Sequence, residues 1–196
     1  MKYLKLFENH QSEAEVAKIC EEYGIKNWTL NSDGLVDVDG DIDLHKKGLT
    51  ELPLKFGEVT GCFDCSHNKI TSLEGAPHTV GRYFYFTHNK LTSLEFAPKL
   101  IDGAFSCENN NIRSFEGLVN IGGHFYCHGN PVWEIWSIIN PGRVAFKWDS
   151  EIMYFFNDCS IIHDNGESIA IERFNFFLEE IGLDPVEEVK GYKNIY

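Results

Sequence analysis

Long hydrophobic runs are missing from this chain of 196 residues. None approaches the roughly 20 apolar residues of a membrane-spanning helix, so no membrane partner is expected. Positive charge is also scarce, with 17 Lys and Arg against 30 Asp and Glu and a formal net charge of −13. Phosphate backbones are bound through basic patches, so direct binding to nucleic acid is not expected. The same deficit fits the reverse relation, an acidic decoy of a nucleic-acid-binding protein. The start, Met1 to Glu8, is too short and too charged for a secretory signal, which makes the cytoplasm the expected compartment. Catalytic signatures are absent too: the sequence has no G-x-S-x-G, phosphate loop, H-E-x-x-H or dinucleotide fingerprint. Neither an enzyme nor a cofactor is expected.

What is present is an ordinary apolar share of 43%, with 14% aromatic residues that must supply much of the core. An internal repeat dominates the middle of the chain. Asn68-Lys69-Ile70-Thr71-Ser72-Leu73-Glu74 recurs 21 residues later as Asn89-Lys90-Leu91-Thr92-Ser93-Leu94-Glu95. Further copies begin at Asn110 and Asn130, and a degenerate one covers Lys47 to Pro53. Ahead of each copy stand Ile42, Phe63, Phe84, Phe105 and Phe125, then Leu44, Cys65, Phe86, Cys107 and Cys127. The consensus is apolar-x-apolar-x-x-Asn-x-apolar-x-x-apolar.

That consensus resembles the short bacterial and phage-type leucine-rich repeat over residues 40–133, with Phe and Cys where Leu is usual. The stretch Leu-Thr-Ser-Leu-Glu resembles repeat proteins encoded in tailed-phage and prophage genomes. The resemblance implies an α/β leucine-rich-repeat solenoid, a parallel sheet of about five 21-residue rungs. Each apolar-x-apolar step has the period of a strand, and a unit this short has no room for a returning helix. Asn68, Asn89, Asn110 and Asn130 are expected to form a structural ladder, since an amide both donates and accepts in the turn beside it.

Residues 1–39 read as an N-terminal cap. Ser12 and Glu15 form a capping box before a helix over 12–23, and Asn31 to Gly34 join two strands in a hairpin. Residues 134–196 read as a C-terminal helical cap, with helices near 132–139, 150–158 and 171–181.

Residues between the inward positions should point outward on a concave sheet face. The partner-binding candidates are Asp43, Asp64, Tyr83, Tyr85, Glu108, His124, Tyr126 and His128, and tyrosine is a frequent contact residue of interfaces. The alternative is a sheet face that is only solvated. Cys62 and Cys65 have the spacing of a zinc knuckle with His67 nearby, but neighbouring strand positions face opposite ways, and His124 and His128 lie about 13 Å apart along a strand. No metal is expected. Cys159 reads as a plain cysteine rather than a nucleophile.

The expected function is therefore a non-catalytic protein-binding module of phage or prophage origin, inhibiting or sequestering a host factor in the host cytoplasm. A packaged or structural virion protein is the alternative. For that reading, Leu6-Phe7-Glu8 resembles the apolar-x-Glu pattern cleaved by phage maturation proteases.

Overall fold

A computed structural model of the chain describes residues 11–117, 120–139, 146–147, 161–163 and 166–196. The expected extension at Met1 to Glu8, the helix near 150–158 and Cys159 lie outside them.

Helix α1 (Glu13–Tyr23) opens on a reciprocal cap: Glu15 N donates to Ser12 Oγ and Ser12 N to Glu15 Oε2. It stops at Gly24, left-handed at φ 71°, and buries Val16 and Cys20. Strands β1 (Trp28–Leu30) and β2 (Val36–Val38) pair antiparallel across a turn in which Asn31 Oδ1 accepts from Asp33 N and Leu35 N.

From β2 onward the chain alternates between two sheets. Strands β4 (Phe56–Val59), β6 (Thr79–Val80), β8 (Leu100–Ile101) and β10 (Asn120–Ile121) extend the β1–β2 hairpin into a first sheet, ordered β1-β2-β4-β6-β8-β10. Strands β3 (Ile42–Asp43), β5 (Phe63–Asp64), β7 (Phe84–Tyr85), β9 (Phe105–Ser106) and β11 (His124–Tyr126) form a second. Within it neighbours run parallel, and β12 (Phe146–Lys147) closes its far edge antiparallel to β11. Each repeat unit thus supplies two short strands joined by a tight corner. The corners stack on one another: Gly61 N donates to Gly40 O, Arg82 N to Gly61 O, and Gly103 N to Arg82 O. A Cβ at Gly103 would run into the Arg82 carbonyl, so the close approach demands glycine there.

The inner faces of the two sheets enclose the core. Phe63, Phe84, Phe105 and Phe125 are fully buried in one row, and Leu44, Cys65, Phe86, Cys107 and Cys127 in the next. Val59, Val80 and Ile101 of the first sheet close the opposite side. The cysteines make room for Phe86, whose ring centroid lies 4.7 Å from Phe84 and 6.0 Å from Phe63. Burial drives the thiols of Cys65, Cys107 and Cys127 well above the ordinary range.

The repeated asparagines lie where the chain leaves the second sheet, and each spans two units. Asn89 donates to Cys65 O (2.9 Å) and Phe86 O (3.3 Å) while its Oδ1 accepts from Ile70 N (3.0 Å). Asn68, Asn110 and Asn130 repeat this scheme.

After the last unit come helix α2 (Trp133–Ile139), a third sheet of β13 (Ile162–His163), β14 (Ser168–Ala170) and β15 (Lys193–Ile195), and helix α3 (Ile171–Glu180). Tyr192 Oη reaches back to donate to Arg113 O at 2.8 Å.

The leucine-rich-repeat solenoid, with one parallel sheet between a capping hairpin and a helical cap, is therefore not what forms. The described residues make a mixed α/β arrangement of three sheets with three helices among them. The segment between successive strands of the second sheet itself runs extended, because Val59, Val80 and Ile101 are buried and their strands pair. The N-terminal hairpin belongs to the first sheet through β2–β4 pairing rather than lying over an end. The C-terminal part is sheet and helix together, since Ser168 to Ala170 are buried and paired on both sides.

Candidate functional site

The second sheet turns alternate side chains away from the core, and its register arranges them in rows. Asp43, Asp64, Tyr85, Ser106 and Tyr126 follow one another strand by strand. One step toward the corners stand Asp41, Cys62, Tyr83, Ala104 and His124. One step toward the asparagine turns stand His45, Ser66, Thr87, Glu108 and His128. Neighbouring members of a row sit about 4.8 Å apart, the inter-strand spacing. The sequence-derived candidates therefore share one outer face.

Relief on this face comes from side-chain size. Tyr83 is 45% exposed, and its ring stacks on Tyr85 at 5.7 Å. On the next strand Ala104 and Ser106 are buried at 8% and 4%. Beyond them the His124 and Tyr126 rings meet edge to face at 6.2 Å. Two aromatic ridges thus flank a trough floored by Ala104 and Ser106. Burial, and after it the nearby Cys62, Tyr83, Asp64 and Tyr126, raises the Tyr85 hydroxyl above its ordinary pKa, so it stays a neutral donor. Glu108 borders the trough and accepts from Ser106 Oγ at 3.1 Å. His128 stands edge-on to Trp133 at 5.2 Å.

The aspartates at the other end are held in place. Asp41 Oδ1 accepts from Cys62 N (2.7 Å), Asp43 Oδ1 from His45 N (3.0 Å) and Asp64 Oδ1 from Ser66 N (2.8 Å). Each carboxylate is thereby fixed through one oxygen, a task that composition and charge alone do not disclose.

A second set of side chains lies at the turn following the outer rows. Lys46, His67, His88 and Asn109 all have positive φ, between 54° and 58°. His67 stacks on His88 at 4.4 Å and 15°, His45 meets His67 at 5.3 Å, and Asn109 Nδ2 contacts His88 Nε2 at 3.4 Å. Sequence reasoning missed this ladder. The 21-residue offset between His67 and His88, one place before the repeated Asn, was its signal.

Among the described residues no group of three or more His, Cys, Asp and Glu is placed to hold a metal ion. Cys65 points into the core while Cys62 is half-buried on the outer face, so the pair does not converge. No helix of the described residues is long and apolar enough to cross a membrane. No protein-family model, curated protein or solved structure matches this chain.

Proposed function

We propose that this chain is a non-catalytic protein-binding module whose partner docks on the outer face of the second sheet. The supporting observation is the trough between the Tyr83–Tyr85 and His124–Tyr126 ridges. A face needed only for solvation gains nothing from a nearly half-exposed tyrosine stacked on a second one. Tyrosine has a rigid apolar body and few torsions, so it loses little entropy when a partner covers it.

The test replaces Tyr83, Tyr85 and Tyr126 together by serine and compares capture of partners from host lysate with the wild-type chain. Partners retained by wild type and lost by the folded variant support the reading. Undiminished capture by the variant overturns it.

A further inference from the structure

The partner's chemistry can be read from what the face carries and what it omits. The three rows of β3 to β11 hold four carboxylates, Asp41, Asp43, Asp64 and Glu108, and no Lys or Arg. Among the described residues, cations stand only at the margins. Arg82 lies at a corner and Lys46 at a turn. The anions lie on both sides of the tyrosine ridge. Asp64 is one strand before Tyr85, and Glu108 follows the next strand after Tyr85, at the asparagine-turn end of the trough.

Resting on the sheet-face reading above, we infer that the partner is a basic protein segment, with an arginine laid against Tyr85 toward Asp43 and Asp64 and an apolar side chain in the trough over Ala104 and Ser106. The guanidinium is planar, so it can lie on a tyrosine ring while its edge meets carboxylate oxygens. Asp43 and Asp64 are direct neighbours in register, each with one oxygen engaged by its own turn and the other left for a donor. Because these carboxylates are already fixed, little side-chain freedom is lost on binding. Glu108, at the end of the same strand as Ala104 and Ser106, provides a second anionic contact for a basic residue beside the apolar one.

The experiment titrates the full chain against fluorescein-labelled Arg-Leu-Arg-Leu-Arg and Glu-Leu-Glu-Leu-Glu peptides and reads anisotropy at fixed ionic strength. Asn retains the amide oxygen that caps each turn, so Asp43→Asn with Asp64→Asn removes charge without removing the cap. The double variant is expected to bind the basic peptide about fivefold more weakly or worse, and Tyr83→Ser with Tyr85→Ser to do the same. Glu179→Gln with Glu180→Gln, the same charge change on α3, is expected to leave affinity unaltered. Three results would overturn the inference: equal binding of the acidic peptide, an equal loss in the α3 variant, or no loss in the aspartate variant. If the tyrosine variant loses lysate partners while the aspartate variant keeps both peptide and partners, the basic-segment inference falls and the sheet-face reading stands.

Discussion

Phe96 occupies a place where its equivalents one unit earlier and later, Gly75 and Gly117, have φ of 87° and 88°. Phe96 itself has φ 65° and a ring that is 53% exposed, so strained backbone is not offset by burial. Phe96→Gly is expected to raise stability by roughly 1 kcal/mol, read as a higher urea midpoint. A drop would show that the ring packs usefully. Asn89 presents the opposite case. Replacing it by Ala leaves Ile70 N unpaired, while Cys65 O and Phe86 O keep the amide donors of Asn68 and Asn110, so a loss of about 1–3 kcal/mol is expected, against almost none for exposed Asn111→Ala. At His67, desolvation first, then His88, Lys46 and His45, hold the imidazole pKa below its ordinary value, outweighing the pull of Asp64. The unfolded chain therefore takes up this proton before the folded one. Stability contributed above the unfolded value, about 6.5, is lost as pH falls through it toward the lower folded value. Denaturation midpoints should drop between pH 7.5 and pH 5.5, and His67→Asn, matching Asn109 one unit beyond His88, should flatten that drop.

Among the elements, the inward rows and the thiols make one joint prediction. With their thiolates disfavoured by burial, Cys65, Cys107 and Cys127 should resist iodoacetamide in the native protein while half-buried Cys62 reacts. Peptide mass spectrometry after alkylation reads this directly, and early labelling of Cys107 would contradict the packing around Phe86. These inward positions were legible in the sequence, because apolar-x-apolar spacing repeated five times leaves one consistent register. So were α1, through Ser12 and Glu15, and the outward positions of Tyr83, Tyr85 and Tyr126. The first sheet was not legible. Its strands β6, β8 and β10 are two residues long, and a single inward side chain such as Val80 or Ile101 shows no alternation to detect. The fixing of Asp41, Asp43 and Asp64 was hidden as well, since a surface aspartate and a turn-capping one look alike in composition.

Over the whole molecule the charge is strongly one-sided, and the described ion pairs do little against it. Lys55 to Glu74 spans 3.9 Å and Lys190 to Glu134 spans 3.8 Å, both on the exposed surface. Raising sodium chloride from low ionic strength to about 0.15 M, where the Debye length is about 8 Å, should therefore raise the melting temperature by relieving self-repulsion. A fall would point to attractive pairs beyond these two. The asparagine scheme bears on how such unfolding proceeds. Cooperativity depends on how strongly neighbouring segments are coupled relative to the stability of each alone. Asn89 places one donated bond on Cys65 of the preceding unit and another on Phe86 of its own, with Ile70 N returning a third. A unit that melts alone forfeits bonds belonging to its neighbour, so fraying from either end is penalised at every junction. Amide exchange should accordingly be governed by one shared opening from Phe63 to Phe125, rather than by a gradient that fades toward the ends.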